Sequence, residues 1–585
     1  MFTRASLQAV FAIVVASACS ESTVAPPPPL KPAVVAAAVV LPSSAVVGSA
    51  VSPLPAVIVT DSTGKPVAGV SVVFSVGQGG GVATGVTQLT GSTGIATVGG
   101  WALGPRTGAN TMTADATGLP TVTFSLISVA GAPSKLVLVA GDGQNDTTHA
   151  VLATSLTVRV TDASDNPVPG VAVQFALTKG AGVLSPALPT DSAGLSSTKL
   201  TLGDSAGTYT VQATSGTLQG SPVNFSATAT WPLYLASSIT MGLSHTCAIA
   251  PSQLLDCWGA NQHGELGDGT TTNHLLATSV VGGLHFSRIS SSGDFNCGIA
   301  SGLAYCWGDN NGSALGDGTN ADRFVPTVVL EGISFVEISA GTDHSCALTA
   351  AGDAYCWGTS QFGAVGDGTN ANTRTSPVPV AGGFKFTKLV SGYQHSCGIA
   401  TTGATYCWGM NPYGELGDGT TVNRNSPTAV AGSLVFVSLA AGWNETCGIT
   451  GAGDAYCWGH NDRGQLGIGN TTDQMVPTKV GGGYTFMQLA AGAQLTCGIT
   501  QAGSLYCWGE DTVTGGGGGS NQPIVAPRPV IAPAGLKFSA ITVGNTGGCA
   551  LTTGSAAYCW GVNVRGEVGD GTTTYRSSLV PVIGK

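Results

Sequence analysis

Residues 341–358 read GTDHSCALTAAGDAYCWG. Two short runs suited to strands flank the turn Ala351-Gly352-Asp353, and each carries one cysteine, Cys346 and Cys356. Folded back across that turn, the runs make an antiparallel hairpin with the cysteines in range of one another. The unit is not solitary. Cys-Trp-Gly occurs seven times, beginning at Cys257, Cys306, Cys356, Cys407, Cys457, Cys507 and Cys559, at spacings of 49 to 52 residues. Nine or ten positions before each stands another cysteine: Cys247, Cys297, Cys346, Cys397, Cys447, Cys497 and Cys549. A period in this range means a propeller or solenoid, because one unit cannot bury its own apolar face. In the third unit four strands are predicted, at 335–340, 345–349, 354–358 and near 377–380, with a long loop through AVGDGT, residues 364–369. Four strands in about 50 residues make a propeller blade.

Towards the N-terminus a second repeat covers 34–130 and 131–230. DSTGKPVAGV, from Asp61, returns as DASDNPVPGV, from Asp162, and LGPRTGANTMTA returns as LGDSAGTYTVQA. Turn clusters separate runs of alternating apolar residues, the mark of antiparallel strands that bury one face; about 100 residues of this kind argue a β-sandwich. Ahead of them lies Pro26-Pro27-Pro28-Pro29, a polyproline spacer. The apolar run 33–41 is too short to span a bilayer and is predicted as a strand.

Residues 1–18 have the form of an export signal: Arg4, an apolar stretch from Ala5 to Val15, then Ala16-Ser17-Ala18 before Cys19. This resembles a bacterial lipoprotein signal, which implies acylation of Cys19 and a lipid-anchored linker over 19–33. Ordinary cleavage would leave a free thiol at Cys19 instead, a liability in an oxidising compartment. The other 14 cysteines all follow residue 246, an even number.

The sandwich motifs resemble the bacterial immunoglobulin-like domains of invasin and intimin-type surface proteins, which act mostly as stiff stalks. Neither unit has a cysteine, so the inter-sheet disulfide with its packed tryptophan is not expected. Over 236–585, GTDHSC, AYCWGTSQ and GAVGDGT resemble the regulator-of-chromosome-condensation repeat, whose members form seven-bladed propellers. The repeat's histidine is kept only as His245, His344 and His395, and the sixth unit replaces its long loop with Gly515 to Gly519. The expected fold is therefore all-β, two Ig-like sandwiches followed by a seven-bladed propeller.

The chemistry reads as structural. Zinc knuckles space their cysteines two to four apart, whereas these flank a hairpin. In an exported chain they are expected as seven disulfides, each closing a small loop. The repeated tryptophans are expected between blades. The Gly-Asp-Gly-Thr segments with Asp268, Asp317, Asp367, Asp418 and Asp570 are expected as turns, since one carboxylate per blade is too few for calcium. No metal, cofactor or catalytic constellation is expected. A net charge of −10 with only 9% charged residues and no basic run disfavours nucleic acid.

The loops between strands one and two, and between strands three and four, should share one face. There Phe295, Tyr393, Trp443, Phe362, Tyr413 and Arg463 are the candidate contacts, of the types that dominate binding hot spots. The expectation is a non-enzymatic, extracytoplasmic surface lipoprotein without a cofactor that binds an unknown protein or glycan and touches the membrane through its N-terminal lipid. Alternatives are an inhibitor of a secreted enzyme, since a secreted propeller of this repeat family inhibits β-lactamases, and a polysaccharide-active enzyme.

Overall fold

The computed structural model describes residues 29–329, 333–369, 371–510, 523–545 and 547–584. The export signal, Cys19 and Gly515 to Gly519 lie outside them. Two compact units divide the chain, Met1–Thr230 and Trp231–Lys585. Among the described residues no helix is long and apolar enough to cross a membrane.

The first unit holds two sandwiches. In one, a sheet of Val34–Ala37, Ala56–Thr60 and Ile95–Thr97 faces a five-stranded sheet led by Ser44–Val46, which runs parallel to Val122–Val129. In the other, Lys135–Ala140, Leu156–Thr161 and Leu195–Thr198 face a four-stranded sheet in which Gln144–Thr147 runs parallel to Val223–Thr230. Alternation does the work: Val223–Thr230 buries every second residue, Val223, Phe225, Ala227 and Ala229. The first core centres on Trp101, 2% exposed and packed without a disulfide, a tryptophan the sequence reading passed over. The repeated Asp-Pro turn also joins the two sandwiches. Asn166 donates to Pro105 O and accepts from Thr107 N, while Asp162 accepts from Gly131 N in the linker between them.

The second unit is a ring of seven four-stranded antiparallel sheets, each with its strands in chain order. The third comprises Glu337–Ala340, His344–Leu348, Ala354–Thr359 and Thr373–Pro379. Its fourth strand begins earlier than the sequence suggested and contains Pro377. It is the outermost strand of its sheet, where an absent N–H costs no ladder bond.

The ring follows from the adjacency of cysteine and tryptophan. Cys346 faces Cys356 across the hairpin, and Ser345 faces Trp357. Neighbouring residues on a strand point to opposite faces. Each blade therefore presents its cysteine pair on one side and its tryptophan on the other. All seven pairs are bonded within their own blade, at S–S distances of 2.03 to 2.09 Å. Each bonded pair then packs in one core with the tryptophan of the following blade: Cys346 and Cys356 with Trp408, and Cys397 and Cys407 with Trp458. The seventh core joins Cys549 and Cys559 to Trp258 of the first blade, closing the circle. All seven tryptophans are fully buried. Among the described residues, six of the indoles donate to a carbonyl of the preceding blade, as Trp408 Nε1 does to Ala364 O at 2.9 Å.

Closure is reinforced by residues 232–236. Tyr234 N donates to Val582 O, Ala557 N donates to Tyr234 O, and Ala236 N donates to Ser555 O. The N-terminal segment of the unit is thus pinned to its last blade.

Candidate binding face

In a four-stranded meander the first and third connections emerge at the same edge. Among the described residues, backbone bonds hold the two together in six of the blades, as where Thr359 N donates to Asp343 O, Met410 N to Gln394 O and His460 N to Asn444 O. The long third connection is organised from within. Asn411 Oδ1 accepts from Leu416 N, and its Nδ2 donates to Thr420 O and Val422 O. Asp418 accepts from the amide and hydroxyl of Thr420 on one oxygen and from Arg424 on the other. The same pattern holds for Asp317 with Thr319 and Arg323, and for Asp570 with Thr572 and Arg576. These carboxylates are turn anchors with their oxygens already engaged.

Burial pushes the carboxyls of Asp317, Asp418 and Asp570 up, but the threonine and arginine bonds outweigh it and hold each below its usual value of 3.8. A lowered folded-state pKa contributes stability that is present above the unfolded value and lost as pH falls through the folded one. The propeller should therefore soften below about pH 4, and Asp418→Asn should flatten that part of a melting-against-pH curve.

At the centre, the innermost strands surround a cavity of about 340 Å³ lined largely by glycine, alanine, serine and threonine. Trp443 and Asn545 stand among its lining residues. The candidate contacts divide around it. Tyr393 and Trp443, on adjacent blades, are half-buried with ring centroids 5.7 Å apart. Tyr413 is exposed and lies 4.1 Å, ring to ring, from His460 of the next blade. Phe362 and Arg463 are half-buried in the third connections of their blades.

Phe295 is a correction. It lies in the strand Phe295–Ala300, is 1% exposed and packs in the core between the second and third blades. It takes the place that His245, His344 and His395 hold elsewhere, a position that faces the following blade. There the histidines bond across the junction: His245 Nε2 to Asn296 Oδ1 at 2.9 Å, His344 Nε2 to Ser396 Oγ at 2.8 Å and His395 Nε2 to Thr446 Oγ1 at 2.9 Å. Burial pushes His344 down to about 4 and His395 to about 3, so both are neutral at physiological pH.

In the fifth blade Glu445 takes this position, fully buried. Burial raises its carboxyl well above 4.5, and the nearby charge of Glu415 adds to the effect. Glu415, also buried, is pushed up to about 7 by burial. Its Oε2 accepts from Tyr413 N at 3.0 Å. With a raised folded-state pKa, stability is full below the unfolded value and is lost as pH rises through the folded one. The melting temperature should fall between roughly pH 5 and pH 8, and Glu415→Gln should remove much of that slope. His460 and Glu415 escaped the sequence reading because they occupy positions that vary from blade to blade; superposing the seven units in register would have set them apart.

Residues 300–583 match the RCC1-like domain family, and residues 139–229 match the bacterial Ig-like domain (group 1) family. Among solved structures, human WBSCR16 is similar at 19% identity with a TM-score of 0.52, over 57% of this chain and 95% of that one. Yeast RCC1 (Prp20), solved bound to Kap60, is similar at 22% identity with a TM-score of 0.48, over 52% of this chain and 78% of that one. The ectodomain of the Physcomitrella patens receptor kinase CR4 matches at 22% identity and a TM-score of 0.37, over 56% of this chain and 73% of that one. At such identities the likeness concerns fold alone.

Proposed function

We propose that this chain, which carries an RCC1-like domain behind a bacterial Ig-like domain, is a bacterial cell-surface binding or adhesion protein. In this reading the export signal and Cys19 anchor it by lipid, the two sandwiches serve as a spacer, and the loop-bearing face of the propeller takes the partner. The observation that carries the reading is the Tyr393–Trp443 ring pair beside the central cavity. Aromatic rings held by a disulfide-bonded framework lose little conformational entropy on binding, and they suit a glycan ring or an apolar side chain of a protein.

The test uses the mature protein, glycan arrays and intact cell surfaces. Trp443→Ala and Tyr393→Ala should each weaken capture by at least about tenfold, the effect expected of a hot-spot side chain, with melting temperature unchanged. Undiminished capture in both variants would sink the proposal.

A further inference from the structure

A second site lies at the junction of the first and second blades. His263 belongs to the third connection of blade one; Asp309 and Asp322 lie at the two ends of the same connection in blade two. One ring nitrogen, His263 Nδ1, lies 2.9 Å from Asp322 Oδ2 and 3.7 Å from Asp309 Oδ1. The three donor atoms all fall within 4.8 Å of one another. Bonds of about 2.0–2.2 Å to a tetrahedral ion set its ligand atoms about 3.3–3.6 Å apart, a spacing that lies between the two distances from Nδ1.

The fold itself does not ask for these residues. At the junction of blades two and three the matching positions are Gly312, Thr359 and Asn372, and between blades three and four they are Phe362, Met410 and Asn423. The histidine beside two carboxylates in blade five is arranged differently. His460 meets Asp473 through Nδ1 and Asp462 through Nε2, on opposite sides of its ring, so its carboxylates do not converge. Among the described residues, it is only at His263 that two acids approach the same nitrogen.

Charge points the same way. In the turn anchors four aspartates have an arginine, as Asp317 has Arg323 and Asp418 has Arg424, and the fifth, Asp268, has His274. Asp309 and Asp322 have no lysine or arginine within ion-pair distance among the described residues; His263 is their one shared basic neighbour. Two carboxylates and an imidazole leave a deficit of positive charge that a divalent cation would fill. The side chains are 42%, 33% and 31% exposed, open enough for an ion to enter and retain water.

We propose that His263, Asp309 and Asp322 form a site for a divalent transition metal of the zinc or manganese class, bridging the first two blades with a coordination position left to solvent. An imidazole with two carboxylates suits these ions. Calcium prefers six or more oxygens and gains little from a nitrogen. Because the open position lies on the loop-bearing face, the metal can also take a donor atom from a partner docked there.

The experiment is calorimetric titration of Zn²⁺ and Mn²⁺ into the untagged mature protein after chelator treatment. One ion per chain should bind, and His263→Ala and Asp309→Asn should each weaken binding by at least about tenfold, the loss typical of perturbing a metal's surroundings. Asp309→Asn is nearly isosteric and keeps the test alive should the alanine variant fold poorly. Absence of binding by either metal, or equal binding in wild type and Asp309→Asn, would overturn the proposal. The outcome is separate from the aromatic pair, because Trp443→Ala should leave the titration unchanged.

Discussion

Replacing Trp408 with alanine should destabilise the propeller by about 3–5 kcal/mol. The indole is fully buried, lies 5.8 Å from the Phe386 ring and packs against the bonded cysteines of the blade before it. Alanine leaves a void where the surrounding core cannot collapse, since the bonded Cys346–Cys356 pair on its far side is held by two strands. It also removes a donor to Ala364 O, although the Ser396 hydroxyl still donates to that carbonyl at 3.1 Å. The bond is thus a minor part of the loss and packing the major one. Trp408→Phe should consequently cost much less than the alanine variant. For a unit of this size the alanine change lowers the melting temperature by about 5 °C, which differential scanning calorimetry resolves. Equal effects of phenylalanine and alanine would refute a packing role.

Reduction of the disulfides should have the larger effect. Each bridge links residues 9 or 10 apart, and closing a loop of that size in the unfolded chain contributes about 2–3 kcal/mol. Cys397→Ala with Cys407→Ala should lower stability by that amount. Seven independent closures together exceed the about 5–15 kcal/mol by which a folded unit is ordinarily stable. A chain refolded under reducing conditions should therefore fail to form the native ring. The sulfurs are fully buried, so reductant alone should act slowly on native protein and quickly once denaturant opens it. The measurement is thiol labelling against time, with and without denaturant. Rapid labelling of native protein would contradict the burial of the bridges.

Much of this architecture was legible because its repeats are local. The hairpin that pairs Cys346 with Cys356 spans ten residues, and the turn Ala351-Gly352-Asp353 sets its register. The turn role of the aspartates was legible for the same reason, since Asp418 is answered by Thr420 two residues on. What escaped were properties decided by a neighbour about 50 residues away. Phe295 looks like a loop aromatic by sequence, yet its strand position faces the next blade and it is buried there. His344 finds its partner in Ser396, and Glu415 is buried against the fifth blade, where its own carbonyl accepts from Trp458. The pairing of residues 232–236 with the last blade spans the whole unit. No local pattern announces it.

The candidate face was legible only in part. Aromatic residues at Tyr393, Trp443 and Tyr413 stand out against the repeat, but their pairing across blades depends on ring geometry. Tyr413 meets His460, and Tyr393 meets Trp443, because adjacent blades bring equivalent loops together. Composition within one repeat cannot reveal such a pair.

Disulfide mapping of the mature protein, by proteolysis without reduction and mass spectrometry, most directly examines the ring on which this account stands. It should recover seven bridges, each within one repeat: Cys247 with Cys257, Cys297 with Cys306, and so on to Cys549 with Cys559. Free thiols among these 14 cysteines, or a bridge between different repeats, would contradict it.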